Sequence, residues 1–423
     1  MIEDDIYRTS SQFRLWSYTE PSLQALRTKT NTIASERVRA ALHRARDARQ
    51  SAASSATGTP QTGSDGESRK LEGQEIECLT PEEELAFVRF YCEQTLELGE
   101  TYKPPLPTMV RATAIQYLKR FYLTNSPMTY HPKSIMACAL FLATKTDNYY
   151  MSLRQFAEGI PSKKGKRPTT PEEVIAPEFL LMQGLRFTFD VRHPFRGLEG
   201  GIMELQAIAD GQGQPGPHLT HQTSHQLQQS LLNIPPGPVR ASSISDRIGR
   251  AHGTTRETLK SAAQMTDAYF LYTPSQIWLS AFLLADRPLA EFYLDTKLGG
   301  PLTPTNVQPD PSGLQNPLYD LRSKLFKVLT DCSTMLQQYQ PLSSDPEQME
   351  NLQRIAKKHH HCLNPEKKPA PKRVPAGAEA SSAPASESET ERLAKKRKLE
   401  AEKARGAQDM FGPELVSERT KQY

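Results

Sequence analysis

The chain has 423 residues, of which 33 are proline and 37% are hydrophobic, and its mean hydropathy is -0.59. That length admits two or three domains, but the composition is too polar for all of it to join a core, so folded domains embedded in disordered sequence are expected. The net charge of +4 is small for the length and concentrated in the tail, which excludes a nucleic-acid footprint spread over the whole chain.

The five cysteines, Cys78, Cys92, Cys138, Cys332 and Cys362, are odd in number, widely spaced and form no C-x-x-C pair. They fit reduced thiols better than a disulfide framework or a zinc ribbon. The opening MIEDDIYRTS is acidic and polar, unlike a secretory signal. The longest apolar run, IMACALFLA at 135–143, is about half of what a bilayer span requires. A soluble, non-secreted protein with no membrane association is expected.

In chain order, an amphipathic helix is predicted from Pro21 toward Arg49, with Leu23, Leu26, Thr30 and Ile33 on one stripe. A Gly/Ser/Gln-rich tract at 50–68 follows. The next helix opens at PEEEL, with Thr80 and Glu83 at capping-box spacing, and another covers LPTMVRATAIQYLKRFYL from Leu106. A third begins at HPKSIMAC with Pro132 in its first turn, a short one covers SLRQFAEGI, and a fifth starts at TTPEEV with Thr170 and Glu173 again at capping-box spacing. No convincing run of strands appears.

The second half repeats this pattern. Aligning Pro132 with Pro274 superposes PKSIMACALFLATK on PSQIWLSAFLLADR, so that Ile135 meets Ile277, Ala139 meets Ala281, Leu142 meets Leu284 and Ala143 meets Ala285. Each copy follows a segment ending in aromatics, KRFYL or TDAYFLY. Two such units about 140 residues apart imply a duplicated all-helical domain built around a small-residue-rich central helix that its neighbours can approach closely.

A tandem five-helix repeat with ALFLATKTDN closing its third helix resembles the cyclin box. SSQFRLW near the start, YLKRFYLTNSPMTYHP before the third helix and TDAYFLYTPSQI in the second unit are similar to the cyclin H group of that family. The resemblance implies an all-α fold of two tandem five-helix cyclin boxes flanked by N- and C-terminal helices, with disordered insertions and tail. Expected boundaries are an N-terminal segment over 1–50, a linker over 51–78, boxes over 79–190 and 191–342, a C-terminal helix over 343–363 and a basic tail over 364–423. Insertions are expected near 210–240 and 299–315.

Lys145 is the first charge in the stretch ALFLATKTDN, near the end of a mostly apolar helix, and lies one turn after Phe141. From the residues alone it is either a snorkelling helix-end cation or a binding residue. Glu178 shares a stripe with Val174, Leu181 and Leu185, yet Pro177 before it equally suits a first-turn acid at a restarted helix. In cyclins the matching lysine and glutamate together hold main-chain groups around the regulatory C-helix of a kinase, so the resemblance implies kinase-binding roles for Lys145 and Glu178. An apolar-set pair of this kind favours one docking geometry, because each charge needs partners when water leaves.

Other signals are weaker. GQGQPG at 211–216 fits G-x-G-x-x-G as a string, but Pro215 interrupts it and no strand precedes it. His359, His360, His361 and Cys362 read as a solvated helix end rather than a metal site, and His218, His221 and His225 fall in a disordered-looking tract. The tail carries KKPAPKR at 367–373 and the cluster Lys395, Lys396, Arg397 and Lys398, which read as nuclear-import signals.

The resemblance therefore implies a non-catalytic, nuclear regulatory subunit that requires no cofactor or metal. Its implied partners are a cyclin-dependent kinase catalytic subunit, an assembly factor and the TFIIH core, with outputs on the RNA polymerase II C-terminal domain and on cell-cycle kinases. Another transcription cyclin with a different kinase is an alternative. A TFIIB-like DNA-binding factor is disfavoured by the lack of paired cysteines for a zinc ribbon, and no sequence-specific nucleic-acid binding is expected. The M-R-A-I-L substrate-docking motif of cell-cycle cyclins is replaced by LAFVRFY at 85–91.

Overall fold

The computed structural model describes residues 2–54, 77–161, 168–216, 222–238, 241–298 and 317–363. Every regular element among them is helical, and no helix there is long and apolar enough to cross a membrane.

The chain begins with α1 (Ile2–Thr9), α2 (Ser11–Trp16) and α3 (Glu20–Ser54). The sequence reading named neither of the first two. Helix α2 starts because the Ser10 hydroxyl accepts from the amide of Phe13, 3.2 Å away. Helix α3 runs to Ser54, four residues into the stretch expected to be linker.

The first helical group comprises α4 (Pro81–Thr101), α5 (Thr108–Thr124), α6 (Pro132–Thr146), α7 (Leu153–Gly159), α8 (Pro171–Ile175) and α9 (Glu178–Gly184). Its start is fixed by a full capping box: the Glu83 amide donates to Thr80 Oγ1 at 3.2 Å, and the Thr80 amide donates to Glu83 Oε2 at 2.9 Å. Thr170 and Glu173 start α8 in the same way. Helix α5 is buried on every side from Ala112 to Leu123 and packs along α6. The fully buried Ala139 and Ala143 remove side-chain bulk from α6 and permit that approach.

The second group contains α10 (Phe195–Ala209), α11 (Ser224–Leu232), α12 (Ile244–Lys260), α13 (Ala262–Met265), α14 (Ala268–Leu271), α15 (Pro274–Ala285), α16 (Arg287–Leu298) and α17 (Pro317–Gln337). Its centre is α15, where Ile277, Ala281 and Phe282 are completely buried. Pro132 and Pro274 both sit in the first turn of their helices, as the alignment of the two halves requires.

Helix α11 corrects one expectation, since it lies inside the stretch near 210–240 read as a disordered insertion. Thr223 and Gln226 form a capping box, Leu227 and Leu231 face the core one turn apart, and Gln228 Nε2 donates to the Ala209 carbonyl at 2.8 Å. Two leucines at that spacing suffice for an apolar stripe despite the surrounding glutamines. The neighbouring residues 217–221 and 239–240, and the insertion over 299–315, lie outside the described residues.

Helix α5 joins the groups through buried polar contacts. Gln116 Nε2 donates to Gln264 Oε1 at 2.9 Å, and Lys119 Nζ donates to the carbonyls of Gln264 and Thr266. His193 sits between Thr113 Oγ1 and the Tyr269 hydroxyl at 3.0 and 2.9 Å, held neutral because burial drives its pKa down to about 3. Arg120 donates to Gln12 Oε1 at 3.0 Å while its guanidinium lies 5.2 Å from the Trp16 ring centre, tying α2 to the same helix.

The chain returns to the first group through α18 (Pro346–Leu363), whose Leu352, Ile355, His359 and Cys362 form its buried face. This corrects the reading of the histidine cluster as a solvated end for His359 and Cys362, while His360 and His361 are exposed. His359 donates to the Pro127 carbonyl at 2.8 Å and packs against Phe87 with ring centres 4.6 Å apart and ring planes tilted by 42°.

Beneath this junction, burial raises the Glu84 carboxyl to about 7, only partly offset by hydrogen bonds from Ser126 and Asn31. A carboxyl raised in the folded state contributes fully below its unfolded pKa of about 4.3 and weakens the fold as pH rises toward 7. Glu84→Gln is therefore expected to stabilise the chain by about 1 to 3 kcal/mol at pH 8 and to change little below pH 4, as read by urea unfolding at both values.

Candidate functional site

The C-terminal end of α6 and the start of α9 bring the two predicted binding residues together. Lys145 Nζ and Glu178 Oε1 form an ion pair, with the lysine side chain 43% exposed and the glutamate 15%. Lys145 also lies over the Phe141 ring, 4.8 Å from its centre, so it is set on an apolar face while its ammonium stays partly wet.

The backbone explains the placement of Glu178. Pro177 cannot donate a helical hydrogen bond, and the expected fifth helix breaks into α8 and α9, both packed on α6. Glu178 becomes the first residue of α9, where a carboxylate complements the helix dipole as it pairs with Lys145. Of the two possibilities the sequence left for Pro177, the structure adopts the restart. It also gives Lys145 a counter-ion within the same chain, so the lysine does not await its counter-charge from elsewhere.

Exposed aromatics accompany the pair, and the sequence reading missed them. Phe179, next to Glu178, is 62% exposed and meets Phe187, 57% exposed, edge to face at 6.3 Å. Phe187 is displayed by a turn in which both Arg186 and Phe187 have positive φ, 53° and 54°. Left-handed backbone costs non-glycine residues about 1 kcal/mol each, so the turn is retained against a local preference. Tyr150, just past α6, is 93% exposed. Large exposed aromatics beside a half-buried ion pair are the composition of a protein-docking surface. A signal was available in LRFTF, where two phenylalanines follow the helix with no apolar periodicity to bury them both.

The other candidates separate. His225 is exposed on α11, while His218 and His221 lie outside the described residues. No group of three or more metal-ligating side chains occurs among the described residues. Residues 211–216 are irregular chain after a helix, without the strand that dinucleotide binding demands. Lys395, Lys396, Arg397 and Lys398 lie outside the described residues.

Comparison with known proteins bears on the family of the chain. A model of the cyclin C-terminal domain matches residues 193–337. The chain is 31% identical over 296 residues to the cyclin mcs2 of Schizosaccharomyces pombe, covering 69% of this chain and 73% of that one. It is 32% identical over 295 residues to the cyclin CCL1 of Saccharomyces cerevisiae, covering 70% of this chain but only 62% of that relative. A chain in the structure of the CAK complex from Chaetomium thermophilum bound to ATP-gamma-S superposes with a TM-score of 0.61 at 31% identity, over 86% of this chain and 91% of that one. Duplicated helical groups around α6 and α15, with similarity extending over more than two thirds of both this chain and mcs2, place this protein in the cyclin family.

Proposed function

We propose that this cyclin is the non-catalytic regulatory subunit of a cyclin-dependent kinase of the CDK-activating type, and that Lys145 and Glu178 are kinase-binding residues. The observation that carries the reading is the similarity, along most of the chain, to a subunit of the CAK complex. The ion pair and the exposed Phe179 and Phe187 supply a surface suited to it. In such a complex the pair would hydrogen-bond main-chain groups around the kinase C-helix and hold that helix inward, so that its glutamate meets the catalytic-site lysine. The wider partners proposed are an assembly factor and the TFIIH core, with the RNA polymerase II C-terminal domain and cell-cycle kinases as substrates of the kinase. Affinity purification of the full chain should recover a cyclin-dependent kinase by mass spectrometry, with phosphotransferase activity absent from the chain alone. Recovery without any such kinase would reject the reading.

Nuclear residence belongs to the same proposal, with Lys395, Lys396, Arg397 and Lys398 as the import signal, since a short basic cluster is what import receptors bind. Replacing all four with alanine in a fluorescent fusion expressed without excess kinase should shift the protein to the cytoplasm. An unchanged nuclear signal would remove the cluster from the proposal.

A further inference from the structure

Two cysteines far apart in the sequence come together where α18 closes on the first helical group. Cys78 precedes α4 and packs against the apolar cluster that contains Cys362, which lies in the last turn of α18. Cys78 Sγ lies 3.9 Å from the Ser35 carbonyl, and Cys362 Sγ lies 3.8 Å from the carbonyl of Glu77, the residue next to Cys78, so the last turn of α18 brings its sulfur to the chain beside Cys78. Their accessibility differs. Cys362 is 3% exposed, whereas Cys78 is half-buried and forms part of the wall of an open groove of about 440 Å³ lined by Asn31, Ser35, Arg39, Glu77 and Thr80.

We propose that Cys78 is a peroxide-sensitive modification site, with Cys362 as the thiol that resolves its oxidised form into an intramolecular disulfide. The local electrostatics support this assignment. A hydrogen bond from the Cys362 thiol holds the Cys78 thiol below the usual cysteine range, burial opposes that effect, and a hydrogen bond from the Ser35 side chain with the charges of Arg39 and Lys358 adds to it. The same hydrogen bond, reinforced by burial, raises Cys362, which remains a protonated reserve. Burial pushes Cys92 and Cys138 up to about 12 and Cys332 up to about 11, so these three are protonated at neutral pH.

The chemistry balances with hydrogen peroxide as oxidant. The Cys78 thiolate attacks one peroxide oxygen, an S–O bond forms, the O–O bond breaks, and the departing hydroxide is protonated to water. The Cys362 sulfur then attacks the Cys78 sulfenic acid, forming the S–S bond and breaking S–O. The released hydroxide takes the Cys362 proton and leaves as a second water. In sum the two thiols give up two electrons and two protons, and one peroxide becomes two waters.

The test uses the full reduced chain at pH 7, treated with graded hydrogen peroxide, then blocked with N-ethylmaleimide under denaturing conditions and mapped without reductant by mass spectrometry. A Cys78–Cys362 cross-linked peptide should appear at peroxide levels that leave Cys92, Cys138 and Cys332 as thiols, and should vanish when a reductant is added. In Cys362→Ser the sulfenic acid should persist on Cys78 and be captured by dimedone, while Cys78→Ser should leave Cys362 unoxidised. Recovery of both residues as thiols when the other three have already oxidised would overturn the proposal. So would a disulfide joining Cys78 to any other cysteine.

Discussion

Asp286→Ala is expected to destabilise the free chain by about 3 to 5 kcal/mol, because it strands a buried guanidinium. Arg247 Nε and Nη2 donate to the two carboxylate oxygens of Asp286 at 2.6 and 2.7 Å, with side-chain exposures of 10% and 5%. Arg247 Nη1 also donates to the Pro235 carbonyl at 2.8 Å, and Asp286 Oδ1 accepts the Leu289 amide at 3.1 Å, which caps the start of α16. Gly237 is needed beside this pair, since a Cβ there would lie 2.5 Å from Asp286 Oδ2. Removing the carboxylate therefore costs the bidentate pair and a cap together. Thermal and urea unfolding would measure the loss. Glu158→Ala is the control: it breaks an exposed pair with Arg154 and should leave stability almost unchanged. If both variants melt alike, the Arg247–Asp286 pair does not hold the second group together.

The second large effect should appear only in complex. Lys145→Ala and Glu178→Ala are each expected to leave the free chain folded, because the pair is partly exposed and such pairs contribute about 1 kcal/mol or less. Against a kinase surface the same pair loses its water, and removing one member leaves the other charge uncompensated, at about 2 to 5 kcal/mol of binding. Kinase activation should fall accordingly in a reconstituted assay, while alanine at the exposed Lys103 should do little. Normal activation by both variants, or unfolding of either alone, would return Lys145 and Glu178 to the role of a helix-end ion pair.

The duplicated helices could be read from the sequence where local signals agree with the tertiary outcome. Thr80 with Glu83, Thr170 with Glu173, and the prolines at 132 and 274 each fix a helix start from within four residues. Lys145 and Glu178 were nameable individually because each interrupts an apolar stripe, and the family resemblance suggested their partnership. What escaped detection depends on distant partners. Lys119 and Arg120 look like surface cations in YLKRFY, yet both are buried, since their acceptors come from residues 264–266, Gln12 and Asp190. His359 and Cys362 looked solvated because Phe87 and Pro127, which cover the histidine, and Cys78, which meets the thiol, are more than two hundred residues away. Polar residues whose burial is decided by tertiary contacts leave no periodic trace.

The return of α18 to the first helical group also bears on how the chain is made. Lys358 bonds Glu83 across 275 residues of sequence, and Phe87 finds part of its cover on the same returning helix. On a ribosome the first group can gather its own helices early, but one apolar flank must wait until almost all of the described chain has emerged. Contacts of such separation form late because a long loop must close before they contribute. During that interval the flank carrying Phe87, Leu79 and Met128 lacks its cover, which makes it a natural place for a chaperone to bind and a hazard for any transcript or nonsense allele that stops short of residue 363.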